Sequence, residues 1–157
     1  MIVGSAAVGI SACTRQLPTY NGPEVTRIQV LKERREMQLL HHRTLLSSYK
    51  IDLGFAPVGH KVQEGDGRTP EGGYRVDRRN PNSSFHLSLG ISYPDANDIA
   101  SARAKGVNPG GDIFIHGTPA VWERTPDWTW GCIAVTNDQM DEVYAMVNTG
   151  TLIYIYA

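Results

Sequence analysis

Two residues of this chain have the right chemistry to work together. His116 stands where the apolar run Ile113-Phe114-Ile115 stops, and Cys132 stands between Thr129-Trp130-Gly131 and Ile133-Ala134-Val135. A thiolate, not a thiol, is the nucleophile, and a free cysteine is mostly protonated near neutrality. A histidine alongside can accept the proton, and in such pairs the thiol pKa drops to roughly 3.5–7.5. Gly131 lets the backbone turn sharply before the sulfur and removes a side chain from its approach. The N–H groups of Gly131 and Cys132 are then candidates to hold a developing oxyanion. A lone cysteine is more often a buried structural residue. The pair therefore gains meaning only if two strand ends, joined by a loop that folds back, present the two side chains to each other.

The surrounding elements are read from period and punctuation. Val25–Val30 alternates as a half-buried strand, the charge run Lys32–Glu36 reads as a solvated turn, and Met37–His41 and Thr44–Leu53 read as the next strands. Gly54–Gly73 is rich in turn residues. Its Gly65-Asp66-Gly67-Arg68-Thr69-Pro70-Glu71-Gly72-Gly73 lacks the Gly-Lys-Ser/Thr ending of a phosphate loop and the alternating ligands of a calcium loop. Consecutive tight turns braced by Asp66 and Arg68 are the expectation. Tyr74–Val76 resumes a strand, and Phe85–Leu89 alternates as another, carrying His86. Pro94–Gly106 reads as a short helix capped at Asp95 or Asn97. After Cys132, Thr136 and Gln139 have capping-box spacing, and Met140, Val143, Tyr144 and Val147 follow at i, i+3, i+4, i+7, an amphipathic helix. Thr151–Tyr156 is a final strand. All three tryptophans, Trp122, Trp128 and Trp130, fall between His116 and Cys132. They form either a small satellite core or an aromatic wall for a ligand. Strands outnumber helices, so the expected fold class is mostly β with short helices (α+β).

At 157 residues the chain is one domain, able to bury roughly 68–70% of its unfolded surface without disulfide staples. The net charge of −1, from 15 basic and 16 acidic residues, leaves no electrostatic footprint for nucleic acid. No spacing presents three metal ligands together, so no metal and no cofactor is expected. The second cysteine, Cys13, follows the apolar stretch Ile2–Ala12, and Ile10-Ser11-Ala12-Cys13 resembles a bacterial lipobox. The expectation is a signal and linker over residues 1–24 and a catalytic domain over 25–157, with Cys13 a lipidation candidate. An ordinary export signal and a structural segment are the alternatives. The first two imply a protein outside the cytoplasm, in the periplasm, anchored to the membrane if lipidated.

His116-Gly117-Thr118-Pro119, then Thr129-Trp130-Gly131-Cys132-Ile133-Ala134-Val135-Thr136-Asn137, together with Gly59–Val76, resembles the L,D-transpeptidase catalytic domain family, the YkuD domain. Ser83–Pro94 points to its YafK/ErfK-like branch. The resemblance implies a YkuD-like mixed sheet or sandwich and a cysteine enzyme acting on peptidoglycan stem peptides. In it, Cys132 attacks the carbonyl at the L-centre of meso-diaminopimelate to form a thioester, and His116 handles the proton. Gly131 belongs to the oxyanion site. Thr129, Gly117, His86, Tyr93 and Trp130 surround the substrate, and an amine acceptor completes the transfer. Two readings run beside it: an amidase or hydrolase that cuts diaminopimelate-linked bonds, such as those tethering a protein to peptidoglycan, and an inactive peptidoglycan-binding module. The chain departs from the usual family pattern at Trp130, where many members have a second histidine, and at Ala134, where many have arginine.

Overall fold

Eight strands and two helices follow in the order β1 (Arg27–Leu31), β2 (Glu36–His41), β3 (Thr44–Lys50), β4 (Gly72–Asn80), β5 (Ser88–Ile91), α1 (Ala96–Ala104), β6 (Phe114–His116), β7 (Ile133–Ala134), α2 (Asn137–Met146) and β8 (Leu152–Tyr156). The computed structural model describes residues 16–157, so Cys13 and the stretch before it lie outside the described residues. The strands form one mixed sheet in the order β3-β2-β1-β8-β4-β5-β6-β7. β1 runs parallel to β8 and β6 parallel to β7, and the other neighbouring pairs are antiparallel.

The sheet curls until its two ends meet. Residues just past β3 reach the edge of β7: Asp52 and Ala134 exchange both backbone hydrogen bonds, at 2.9 and 2.8 Å. Thr129 N–H donates to Leu53 O at 3.1 Å, and Phe55 N–H to Thr129 O at 2.9 Å. Closure satisfies backbone groups that an open edge would expose. It also fastens the loop before Cys132 to the far end of the sheet. The expected strand Thr44–Leu53 is therefore two things, a regular strand to Lys50 and a closing segment beyond it.

Inside the curl the inward residues interlock: Ile28 and Val30 of β1, Met37 and Leu39 of β2, Ile153 and Ile155 of β8, Leu89 and Ile91 of β5, and Ile115 and Ile133 beside the site are all buried. α2 buries the expected face through Met140, Val143 and Tyr144, with Val147 just beyond its end, and packs on β5. Its capping box is complete, with Thr136 Oγ1 accepting from Gln139 N–H and the Gln139 side chain accepting from Thr136 N–H. Asp95 caps α1 in the same way, with Asp98 as the returning partner.

A buried polar brace stands where a solvated turn is expected at Lys32–Glu36, and the brace expected at Asp66 is present. Lys32, expected in a solvated run, is 2% exposed. Its ammonium donates to Gly59 O (2.7 Å), Thr69 O (2.9 Å) and Glu71 Oε1 (2.8 Å), so one buried cation gathers the turn-rich segment onto β1. Burial of the charge is tolerated because all three donors are used. Arg35 adds a two-pronged pair with Asp127, whose Oδ1 also accepts Leu53 N–H at 3.0 Å. Asp66 accepts from the N–H groups of Val62, Gln63 and Arg68 and from Lys61 Nζ, so it braces local backbone, and its ionic partner is Lys61, not Arg68.

Candidate active site

His116 ends β6 and Cys132 directly precedes the neighbouring β7, but the two are not hydrogen-bonded to each other. The parallel register pairs Ile115 with Ile133 and His116 with Ala134. Continued one residue back, it sets Cys132 beside Phe114. Cys132 is therefore offset along the chain from the level of His116 by two positions, roughly 6–7 Å of strand rise. The thiol donates to Asp112 O, at 3.6 Å.

His116 is almost fully buried and its orientation is determined. Nδ1 lies 2.7 Å from Gly117 O. A carbonyl oxygen only accepts, so Nδ1 carries the proton and Nε2 of the neutral ring keeps the basic lone pair. The ring is stacked on Phe85 (centroids 4.7 Å apart, planes at 27°) and meets the edge of Trp128 at 5.5 Å. Gly117 is required here: a Cβ would overlap Asn137 Oδ1 and come within 3.0 Å of Phe85 O.

Both ionisations are pushed toward the neutral forms. Burial holds His116 below the ordinary histidine value, against the opposing pull of the Gly117 carbonyl. Burial, with the Asp112 carboxylate adding to it, pushes the Cys132 thiol up to about 11, while a backbone hydrogen bond from Phe114 and the charge of Lys61 pull the other way. The sequence expectation of a lowered thiol pKa is thus corrected. A histidine lowers a thiol pKa by becoming a cation next to it, and this one is buried, held toward its neutral form and not hydrogen-bonded to the sulfur.

The turn before the sulfur is closed by Thr129. Its hydroxyl donates to Cys132 O at 2.7 Å and accepts Gly131 N–H at 3.2 Å. The Gly131 amide, a candidate oxyanion donor, is therefore engaged internally, and the Cys132 amide has no acceptor among the described residues. Gly131 has φ +125°, and a Cβ would stand 2.6 Å from Arg68 O, so glycine is what allows the turn to approach the braced segment.

The sulfur opens into a cavity of about 240 Å³ whose walls include Lys61, Glu64, Asp112, Ile113 and Trp130. Lys61 is buried, with Nζ held by Gln63 O and Asp66 Oδ1, both at 3.0 Å. Trp130 is 70% exposed and rests edge-on against Phe55. The tryptophans thus divide: Trp122 and Trp128 stack on each other over the His116 side, and Trp130 stands at the mouth on the sulfur side. A larger cleft of about 700 Å³ lies beyond the ends of β6 and β7, at Thr118, Val135 and Thr136, and does not touch the sulfur.

The remaining candidates stand elsewhere. Tyr93 is in the core, its hydroxyl donating to Pro109 O at 3.0 Å. His86 is not on a strand. β5 begins at Ser88, and His86 occupies a bend at φ +76° with Nε2 2.8 Å from Asp141 Oδ1 of α2. The reason is local: Phe85 O leaves the ladder to accept Gly117 N–H at 3.0 Å. Lys61, Asp112 and Phe85 at the site were not singled out from sequence. Lys61 and Phe85 lay within the motif blocks Gly59–Val76 and Ser83–Pro94, whereas nothing in the local pattern marked Asp112.

Comparison with known proteins agrees with this architecture. The model of the L,D-transpeptidase catalytic domain, YkuD, matches residues 25–155. The protein named "Putative L,D-transpeptidase YafK" from Escherichia coli (strain K12) is 35% identical over 133 residues, covering 81% of this chain and 48% of that one. Among solved structures, the helical cell shape determining protein Pgp2 from Campylobacter jejuni superposes with TM-score 0.67 at 23% identity, over 88% of this chain and 50% of that chain. An L,D-transpeptidase from Mycobacterium smegmatis gives 0.58 at 12% identity, over 85% and 59%. At those identities the two structures speak for the fold alone. The chain spans about half the length of the curated relative it matches. With the curled mixed sheet, the YkuD match across nearly all of residues 25–157 and the identity to YafK, this chain belongs to the L,D-transpeptidase catalytic domain (YkuD) family.

Proposed function

We propose that residues 25–157 catalyse acyl transfer on peptidoglycan stem peptides through a thioester on Cys132. The observation that carries this reading is the locked tautomer of His116: with Nδ1–H committed to Gly117 O, Nε2 is the base, on the strand next to the nucleophile. The substrate carbonyl, at the L-centre of meso-diaminopimelate, enters the cavity beside Asp112. The thiol leaves Asp112 O by rotation about its Cα–Cβ bond, and Nε2 takes its proton as sulfur bonds to the carbonyl carbon. The Cys132 N–H is the donor available to the oxyanion. Collapse expels the amine, which takes the proton from Nε2. An acceptor amine then attacks the thioester and restores the thiol. Lys61 with Glu64 and Asp112 supplies charges of both signs around the sulfur, which suits the zwitterionic end of diaminopimelate or of a terminal D-amino acid.

Hydrolysis is the second reading. The cavity at the sulfur has room for one amino-acid end, and water needs no further site. The same thioester would then be cleaved, making the domain an amidase, for example toward a peptidoglycan-linked protein. Incubation with defined muropeptides, read by mass, separates these outcomes. Released D-alanine with a new crosslink supports transfer, and a freed amine or anchor peptide without a crosslink supports hydrolysis. No covalent adduct on wild type, with equal binding by Cys132→Ala, would leave only a binding module. We place the activity outside the cytoplasm, with Cys13 as the lipid attachment point; the mass of the mature N-terminal peptide tests that. No helix among the described residues is long and apolar enough to cross a membrane.

A further inference from the structure

We infer that Phe85 is a positioning residue for His116: its ring covers one face of the imidazole while its carbonyl oxygen holds the Gly117 amide. One residue thereby controls both the plane of the base and the turn that orients it. This rests on His116 being the base of the proposed reaction.

The geometry is specific to Phe85. Its ring and the imidazole lie 4.7 Å apart with their planes at 27°, and Trp128 meets the imidazole edge-on from an adjacent direction at 5.5 Å. Phe85 and Trp128 also meet, at 5.7 Å, so the three rings form one cluster around the base. Phe85 O accepts Gly117 N–H at 3.0 Å, and Gly117 O is the acceptor for His116 Nδ1–H. The backbone and ring of Phe85 thus act on the same imidazole from two directions. Two neighbouring features hold Phe85 itself: Ser83 Oγ accepts its N–H at 3.1 Å, and the His86–Asp141 pair ties the bend to α2. The ring is 39% exposed, so its outer face is in water while its inner face keeps water off His116. Trimming the ring leaves the carbonyl in place, which separates the two roles.

Titratable groups on the elements packed here are Cys132 before β7, His86 and Asp141 across the bend and α2, and Asp127 beside Trp128, held by Arg35. Without the aromatic cover, burial of His116 falls and its protonated form is better solvated. Its titration midpoint then moves up toward the ordinary histidine value, and the Nδ1–H tautomer loses its dominance.

The test is the NMR titration of the His116 ring, assigned with His116→Gln, in wild type, Phe85→Leu, Phe85→Ala and Phe85→Tyr. Folding is checked by the near-UV spectrum. An upward shift in Leu and Ala, restored by Tyr, is expected. With muropeptides, turnover should fall by a larger factor at pH 6 than at pH 8, with KM within about twofold. An unchanged His116 midpoint in folded Phe85→Leu overturns the inference, and that variant retains enough bulk to stand in if Phe85→Ala does not fold. The NMR measurement needs no turnover. A shifted midpoint in a protein that processes no muropeptide would therefore leave the positioning role standing and remove the proposed function. Normal turnover with an unmoved midpoint would do the reverse.

Discussion

The thiol of Cys132 is hydrogen-bonded to the carbonyl of Asp112, not to the imidazole of His116. The resting site is therefore a pair of neutral groups facing different partners. In the proposed reaction the sulfur must leave that carbonyl before His116 can take its proton. On that proposal, activation depends on substrate entering the cavity and displacing the thiol.

Alkylation kinetics report this state directly. With the thiol pushed up to about 11 by burial and by Asp112, the rate of iodoacetamide labelling of Cys132 should still be climbing at pH 9. Asp112→Asn removes a charge that disfavours the thiolate, so labelling at fixed pH should speed up. A rate that levels off below pH 8 would instead reveal an ion pair with His116.

Lys32 should matter to stability out of proportion to its place in a charged turn. Lys32→Met keeps the bulk but leaves Glu71 Oε1 and two carbonyls without their donor. Breaking a buried pair on one side costs roughly 3–5 kcal/mol. Urea unfolding followed by tryptophan fluorescence measures it, and a loss below about 1 kcal/mol would mean that water replaces the ammonium.

Asp66 gives the fold a defined acid sensitivity. Burial raises its pKa, but the N–H groups of Val62, Arg68 and Gln63 and the Lys61 ammonium outweigh this and bring it to about 2, against 3.8 for the free side chain. The folded value is the lower one, so the stabilisation is fully present above pH 3.8 and is lost as pH falls toward 2. Its size is roughly 2 kcal/mol. In Asp66→Asn, stability should change less between pH 4.5 and 2 than in wild type, as read from urea midpoints.

The Arg35–Asp127 pair should act on the loop that carries Cys132. Asp127→Ala leaves Leu53 N–H and the guanidinium without their acceptor, at a cost of about 1–3 kcal/mol. Hydrogen exchange should accelerate first at Leu53, Phe55 and Thr129, where the sheet closes. Acceleration confined to β1 and β2 would show that the pair merely braces their turn.

Gly131→Ala should remove acylation of Cys132 while leaving α2 and the β1–β2–β8 ladder folded. The new methyl group meets Arg68 O at 2.6 Å in a backbone conformation that L side chains avoid. Intact-mass detection of a covalent adduct with a muropeptide is the readout, and wild-type adduct formation would show that the turn tolerates the strain.

The amino-acid order by itself determined the nearest-neighbour features. Thr136 and Gln139 specify where α2 starts, because a capping box lies within four residues. Its buried stripe follows from helical period alone. The strand run into His116 and the glycine before Cys132 were legible for the same reason, as was the family through its motif blocks. Only the tertiary structure decided which partners meet across long stretches of chain. Lys32 is buried because Gly59, Thr69 and Glu71 fold back over it. Phe85, not His86, faces the imidazole, in a bend where Phe85 O accepts Gly117 N–H. The thiol is held toward its protonated form because the packed chain buries it, sets the Asp112 carboxylate nearby and turns it toward Asp112 O. Local pattern encodes backbone preference, whereas burial, dielectric and hydrogen-bond partners belong to the packed whole.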